Sequence, residues 1–133
     1  VDESNAADLV VHTGAAISPP NDAVGAKQFY IHEYQDDYNR VVSGVRTFEL
    51  VNNTWKYPYH IVKLDVHSGA LIIPAKTWHR SVSGEEGSIV INQAKRYKGF
   101  NASEEFKPVS CAENSLLYKI LLHEKPVIHR LGE

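Results

Sequence analysis

The sequence has little of several features that define classes of protein. Cys111 is the only cysteine in 133 residues, so an intrachain disulfide framework is excluded and a reducing, cytoplasmic setting is predicted. No apolar run approaches the roughly 20 residues that a helix needs to cross a bilayer, so no membrane partner is expected. The formal net charge is only −2, so no basic surface for nucleic acid is expected.

The length favours a single domain, because a chain of 133 residues can bury enough apolar surface to fold without disulfides or metals. Residues 1–8 are polar and lack the apolar core of a signal peptide. We expect them to form a flexible N-terminal end, followed by one domain over residues 9–133. No internal repeat or interdomain linker divides that domain.

Short runs of apolar, aromatic and β-branched residues recur along the chain, with turn residues between them. They predict strands at residues 9–12, 27–34, 38–42, 45–51, 57–66, 70–73, 77–82 and 88–92. Ser43-Gly44 is predicted to join two of these strands as a hairpin, and residues 84–87 are predicted to form another turn. Strands at this spacing are typical of an antiparallel sandwich or barrel.

Two later segments are less strand-like. Residues 102–106 predict a helical turn, with Asn101 or Ser103 as its cap. Residues 115–123 fit either a strand or a helix, because their apolar pattern does not distinguish the two. The predicted fold class is therefore all-β, with little helix.

Four side chains suited to acid–base or metal chemistry lie on neighbouring predicted strands. Tyr30 and His32 alternate along one strand, so both point to the same face of it. Asp37 opens the next strand, and His79 follows Pro74, which closes another because proline cannot donate to a ladder. If the faces match, these four side chains converge inside one barrel.

The spacing of these residues resembles that of the cupin superfamily. His32-x4-Asp37-x6-Gly44 is similar to the end of the first cupin motif, and Pro74-x4-His79 is similar to part of the second. This resemblance implies an antiparallel double-stranded β-helix, which is the RmlC-like cupin jelly roll.

The sequence departs from the cupin pattern at several motif positions. Tyr30 stands where the first motif has a histidine, and Asp37 stands where it has a glutamate. In the second motif, Lys76 replaces a glycine and Ser83 replaces an asparagine. The implied jelly roll depends less on these identities than the implied metal site does.

Within the cupins, Pro74-Ala75-Lys76-Thr77-Trp78-His79 is similar to an element of the WxcM-like sugar-nucleotide 3,4-ketoisomerases. Residues 97–106 resemble the Tyr-rich acidic tail of that group, which ends in Phe. The resemblance implies a carbohydrate or nucleotide-sugar isomerase or epimerase in which a histidine and a tyrosine divide the acid–base work. Resemblance to small cupins also implies a homodimer, with the predicted strand at residues 9–12 available for swapping or sheet pairing.

Three functions are compatible with these residues. In the first, no metal is required: His32 or His79 removes the proton next to a keto-sugar carbonyl, and Tyr30 acts as the acid. In the second, His32, Asp37 and His79 bind one divalent ion (Fe, Mn, Ni or Zn), as in a metal-dependent dioxygenase or lyase. In the third, the barrel binds a small ligand without catalysis.

Four further side chains are candidates for binding a substrate. Arg40 and Arg46 are candidates for a phosphate at the barrel mouth, because guanidinium binds such groups through two hydrogen bonds. The alternative for both is a solvated sheet face. Trp55 lies in an aromatic loop that would stack on a sugar or base ring or cover a barrel end, and His60 is expected to look into the barrel. Trp78 is predicted to pack outside the barrel or at a subunit contact.

Overall fold

The computed structural model describes residues 4–130. About half of these residues lie in strands, as the short β-branched and aromatic runs between turn residues predict. The all-β class is therefore confirmed. The strands are β1 (Ala6–His12), β2 (Ile17–Ser18), β3 (Gln28–Phe29), β4 (Gln35–Val51), β5 (Tyr59–Leu64), β6 (Ala70–Ile73), β7 (Trp78–Arg96), β8 (Val109–Ser110) and β9 (Val127–Arg130).

Helix is confined to short segments near the C-terminal end of the described chain. They are α1 (Ala102–Glu105), a 3-10 turn (Cys111–Glu113) and α2 (Ser115–His123). Asn101 caps α1, which confirms one of the two predicted caps. The ambiguous segment is the helix α2, whose buried side chains Leu117 and Ile120 are three residues apart on one face. No helix in residues 4–130 is long and apolar enough to cross a membrane.

One large sheet holds most of the strands, in the order β1-β7-β4-β5-β9, with β2 added on β7 and β6 added on β4. A second, two-stranded sheet pairs β3 with β8. Nearly all pairs are antiparallel, but β9 pairs with β5 in parallel, from His60↔Val127 to Lys63↔Arg130.

The strand β1 begins at Ala6, three residues before the predicted first strand, and it pairs with β7. Ala6 to Asp8 were predicted to belong to a flexible end, but they are part of this ladder. Residues 1–3 of that predicted end lie outside the described residues. A single domain over residues 9–133 stays a prediction.

The two predicted turns at Ser43-Gly44 and at residues 84–87 are wrong. Both segments are bends inside continuous strands, because β4 has 17 residues and β7 has 19, and these two strands pair along most of their length. Gly44 has φ +76, and a Cβ there would lie 2.2 Å from the carbonyl oxygen of Gly87. Glycine therefore permits a close crossing of the two strands at a β-bulge, where sequence patterns suggested chain reversal.

The bulge in β4 reverses which side chains point inward. The register shifts between Val41 and Ser43 and again between Gly44 and Arg46. Before the bend, Asp37 and Val41 are buried on the inner face; after it, Arg46 lies on that face. A strand alternates with a period of two, so one unpaired residue exchanges the two faces.

Two apolar clusters lie on opposite sides of the β4–β7 layer. The inner cluster fills the barrel and consists of Val41, Phe48, Leu50, Val62, Leu64, Ile73 and Val90. The outer cluster joins the sheet to α2 and consists of Phe29, Val51, Tyr59, Trp78, Leu117 and Ile120. Trp78 therefore packs outside the barrel, under α2.

A charged network is buried among the outer side chains. Glu49 is 6% exposed; its Oε2 pairs with Arg80 Nη1, and its Oε1 accepts from Lys27 Nζ at 3.0 Å and from Tyr59 Oη at 2.6 Å. Burial raises the pKa of the Glu49 carboxyl, but these hydrogen bonds lower it more, so its pKa lies below the ordinary value. Burial and the Glu49 carboxylate both raise the pKa of Tyr59, which stays a neutral donor.

Candidate functional site

A cavity of about 400 Å³ opens on the inner face of the barrel between β4 and β7. Tyr30, His32, Asp37 and His79 all line it, so the structure brings together the four side chains that spacing predicted to converge. Gln35, Asn39, Ser81 and Asn92 add polar groups to the wall. The cavity is in the size range of small-molecule sites, which is about 300–1,000 Å³.

Tyr30 and His79 are placed by a backbone bridge between the segment after β3 and the start of β7. Tyr30 N donates to His79 O at 2.9 Å, and His79 N donates to Tyr30 O at 2.8 Å. Their rings are tilted, with centroids 6.2 Å apart. The hydroxyl of Tyr30 makes no hydrogen bond to the described residues, so it is available to a ligand.

His32 reaches the cavity from an irregular segment. The predicted strand at residues 27–34 ends as β3 at Phe29, and His32 lies outside any strand. Its carbonyl oxygen accepts from Lys76 N at 2.7 Å. Lys76 has φ +67, a left-handed conformation that glycine adopts without strain and lysine does not. Lys76, which replaces the motif glycine, thus keeps the backbone conformation of a glycine, and its backbone nitrogen fixes the His32 segment through this hydrogen bond.

The imidazole of His32 is fixed on both sides. Nδ1 lies 2.8 Å from the carbonyl oxygen of Glu105, and a carbonyl only accepts, so Nδ1 carries the proton. Nε2 lies 3.2 Å from Asp37 Oδ2, and both side chains are 5% exposed. The ring of Phe106 contacts His32 edge-on, at a centroid distance of 5.2 Å. A bare Nε2 lone pair would be repelled by the Asp37 carboxylate. A proton or a bound cation at Nε2 would make this contact favourable.

Asp37 is the carboxylate at the centre of the site. Its Oδ1 accepts from Gln35 Nε2 at 2.7 Å and from Asn92 Nδ2 at 3.3 Å. Burial raises the pKa of Asp37, but the hydrogen bond from His32 acts against it, and the net pKa lies below the ordinary value. Asp37 is therefore ionised at neutral pH.

His79 differs from His32 because one ring nitrogen has no close partner. Its Nδ1 donates to the carbonyl oxygen of Thr77 at 3.2 Å, so Nε2 carries the lone pair. That Nε2 lies 3.7 Å from Asp37 Oδ2, too far for a hydrogen bond. Burial lowers the pKa of His79 to about 4, although Asp37 raises it, so the ring is neutral at pH 7.

The donor set of this site fits a divalent metal ion. The ligand atoms of His32, Asp37 and His79 all lie within 4.8 Å of one another. Metal bonds of about 2.0–2.2 Å place neighbouring ligand atoms about 3–3.6 Å apart. Asp37 Oδ2 lies 3.2 Å from His32 Nε2 and 3.7 Å from His79 Nε2, which is close to that range. Each histidine also gives its Nδ1 proton to a backbone carbonyl, the usual support for a metal-binding imidazole.

Two residues of the site were not singled out from sequence. Glu105 is 4% exposed, and its carboxylate accepts from the backbone nitrogens of Tyr34, at 2.7 Å, and Asn101, at 3.1 Å. Its backbone carbonyl then holds His32, and the next residue, Phe106, covers the same ring. The only sequence signal was the resemblance of residues 97–106 to the ketoisomerase tail.

The four predicted substrate-binding residues are not brought to one place. Arg46 is 3% exposed and lines the same cavity as His79. Arg40 is exposed on the outer face of β4, so it does not reach the cavity. Trp55 and His60 line a different pocket, of about 360 Å³. Of the four, only Arg46 lines the cavity that contains the four converging residues.

That different pocket is mainly apolar and is lined by Leu50 and Val62 of the inner cluster, so His60 faces the inner side of the barrel, as expected. His60 Nε2 donates to the carbonyl oxygen of Tyr57 at 2.6 Å, and its Nδ1 lies 2.9 Å from His129 Nε2. Trp55 meets the ring of His60 edge-on at 5.5 Å. The sequence did not predict that His60 contacts His129. The parallel pairing of β5 with β9 joins residues far apart in the chain, and no local pattern indicates it.

No protein-family model matches the sequence, and no curated protein matches it. Solved structures do match the fold: the chain has the antiparallel jelly roll of these structures, as the resemblance to the cupins implied. A dTDP-4-dehydrorhamnose 3,5-epimerase from Bacillus anthracis superposes with a TM-score of 0.57 and 14% identity, over 80% of this chain and 58% of that one.

Two further solved structures are similar over most of this chain. The 3,4-ketoisomerase QdtA from Thermoanaerobacterium thermosaccharolyticum has a TM-score of 0.56 and 13% identity, over 86% of this chain and 70% of that one. Oxalate decarboxylase from Bacillus subtilis has a TM-score of 0.56 and 16% identity, over 79% of this chain. This chain spans only 24% of the decarboxylase. At these identities, the likeness establishes the fold.

Proposed function

We propose that this protein is an isomerase or epimerase that acts on a keto sugar, or on its nucleotide-linked form, by acid–base chemistry. The observation that carries the proposal is the free Nε2 of His79, which faces the cavity beside Asp37 and Tyr30. The similarity to QdtA, a 3,4-ketoisomerase solved with TDP-4-keto-6-deoxyglucose, covers most of both chains and supports the choice of substrate class.

His79 is the proposed base. Its Nε2 lone pair would take the proton from the carbon next to the substrate carbonyl, and the same nitrogen would return a proton to the neighbouring carbon. Asp37 lies close enough to stabilise the imidazolium that forms in between. His32 is a poorer candidate for the base, because Glu105 and Asp37 already occupy both of its ring nitrogens.

Tyr30 is the proposed acid. As the carbon–hydrogen electrons move into the carbonyl, the carbonyl oxygen needs a proton, and the unbonded Tyr30 hydroxyl would supply it. The phenolate would then take the proton of the adjacent hydroxyl, which becomes the new carbonyl. This sequence of steps conserves protons and needs no oxidant or reductant.

Incubation with dTDP-4-keto-6-deoxyglucose in deuterated water should test the proposal directly. The base exchanges its proton with solvent, so we expect enzyme-dependent loss of the proton signal on a carbon next to the carbonyl, followed by signals of an isomer. Proton NMR measures both. Binding of this sugar nucleotide with no exchange and no isomer would contradict catalysis and favour the non-catalytic binding module.

A metal-dependent cupin is the second candidate, and the converging donor atoms of His32, Asp37 and His79 favour it. A bound Fe, Mn, Ni or Zn ion would act as a Lewis acid toward a substrate oxygen. The chain's own residues would supply two neutral imidazoles and one carboxylate, in a cavity with room for a substrate. The two candidates use the same side chains and differ in what occupies the space between them.

Metal content distinguishes the two candidates. For the acid–base candidate, we expect elemental analysis of untagged protein, purified after growth with added Fe, Mn, Ni and Zn, to find well under one equivalent of metal. Isomerase activity should also survive treatment with a chelator. Near-stoichiometric metal that is lost in an Asp37→Asn variant would instead establish the metal centre.

Association into a homodimer also stays a prediction. Leu9 and Val11 of β1 are 59% and 53% exposed, and Leu9 is paired with Ile91, which is 40% exposed. An apolar outer face at β1 is compatible with pairing of two copies through that strand.

A further inference from the structure

Arg46 is a buried cation without an acidic partner. It is 3% exposed, and none of the ion pairs among the described residues includes it. Its Nε donates to Ser81 Oγ at 2.9 Å, and its Nη1 donates to Ser88 Oγ at 3.2 Å and to His12 Nδ1. Burial lowers the pKa of Arg46 to about 10, so the side chain is still cationic at neutral pH.

These contacts hold the guanidinium without neutralising it. Two hydroxyls and a histidine are uncharged partners, because burial and the Arg46 charge both lower the pKa of His12. A buried charge without a counter-ion is costly, so folds rarely keep one unless it has a further use. Nη2 makes no hydrogen bond to the described residues, and it is also not one of their atoms that are both unbonded and closed to solvent. It is therefore accessible from the cavity that Arg46 lines.

The guanidinium also lies within reach of the proposed base. Ser81, which holds Arg46 Nε, follows His79 by two residues on the same face of β7, and two residues of a strand span about 6.6 Å. A group bound at Arg46 would therefore be within one sugar ring of the reacting carbon at His79.

We propose that Arg46 binds a compact oxyanion of the substrate, a carboxylate or a phosphate, and so sets which sugars the cavity accepts. This inference rests on the same cavity as the proposed function and adds a charge requirement to it.

The cavity is also lined by the acidic residues Asp8 and Asp37 and by a second arginine, Arg96. Asp37 already accepts hydrogen bonds from His32, Gln35 and Asn92. Arg96 is exposed and its guanidinium lies over the ring of Phe100, at 4.3 Å from the centroid, so Arg46 is the buried arginine of the cavity.

Binding of matched sugars to the full chain tests the charge requirement. We expect glucuronate or glucose 1-phosphate to bind in titration calorimetry at constant ionic strength, and neutral glucose to bind at least about tenfold more weakly. The two charged sugars distinguish a carboxylate from a phosphate. In an Arg46→Met variant, the charged sugar should lose its advantage over glucose.

The control is Arg40→Met, which removes the same charge from the outer face of the same strand and should change no affinity. Thermal unfolding separates binding from folding: Arg46→Met should have a Tm equal to or above that of the wild type, because it removes an uncompensated buried charge. Ser81→Ala keeps the charge but releases Nε, and it should weaken the charged sugar by several-fold.

Equal binding of glucose and both charged sugars would overturn the inference, and so would an Arg46→Met variant that still discriminates between them. A large loss of Tm in Arg46→Met together with unchanged sugar binding in Ser81→Ala would assign Arg46 a purely structural role. These readouts do not depend on turnover, so a failed isomerase assay would leave the oxyanion site standing.

Discussion

Replacing His79 with asparagine should lower turnover of the keto-sugar substrate by about 10²–10⁴-fold, the usual contribution of a general acid or base. The asparagine amide can keep the hydrogen bond to the carbonyl of Thr77, while the Nε2 position that faces the cavity is lost. We therefore expect kcat to fall with little change in substrate affinity. Steady-state kinetics and calorimetric binding to the same variant measure the two effects separately.

The same substitution at two other histidines is the comparison. His60→Asn lies at the separate apolar pocket and should leave turnover unchanged. His32→Asn removes the partner of Asp37 and should reduce turnover less than His79→Asn does. If the His32 variant is inactive while the His79 variant keeps its turnover, the roles of the two histidines are the reverse of those proposed.

Replacing Glu49 with glutamine should lower the free energy of unfolding by about 3–5 kcal/mol, because it leaves a buried guanidinium without its counter-ion. Arg80 is 5% exposed and is paired with Glu49, so it cannot turn to solvent without disturbing the outer cluster. Urea denaturation of the variant and the wild type measures the loss. A glutamine variant as stable as the wild type would show that the pair contributes little.

Lys27→Gln is the matched control, because its side chain is 46% exposed and bonds to the same carboxylate. It should cost no more than about 1 kcal/mol. The pH dependence gives a second check: the folded pKa of Glu49 is lowered, so its stabilisation is present above about 4.5 and is lost as the pH falls through the lowered value. The Glu49→Gln variant should lack that part of the acid destabilisation.

Much of the fold follows from local sequence signals. The run that Pro74 closes is the strand β6 with the predicted bounds, and Asn101 caps α1 as its position suggested. The convergence of His32, Asp37 and His79 was predictable because motif spacing encodes which strands become neighbours. Such signals depend only on residues close together in the chain, or on a recurring pattern.

Other parts of the site depend on strand pairing and on contacts between distant residues, which the local sequence pattern does not indicate. Glycine at position 44 is compatible with a turn or with a bulge, and only the partner strand decides between them. Because of the bulge, Arg46 lines the cavity and Arg40 lies outside it, although the sequence predicted the same role for both. The hydrogen bond that His32 donates to the carbonyl oxygen of Glu105 spans 73 residues, which no periodicity within a strand could indicate.

The outer ion pair also has a consequence for the accuracy of the site. Arg80 follows His79 directly, and it lies opposite Glu49 in the β4–β7 ladder. If β7 slid by one residue, His79 would enter the outer cluster and a charged arginine would occupy its place beside the cavity. The slip would also break the contact with Glu49. The Glu49–Arg80 pair therefore stabilises the strand alignment that places His79 in the cavity. A misaligned strand would be less stable even when no ligand is bound.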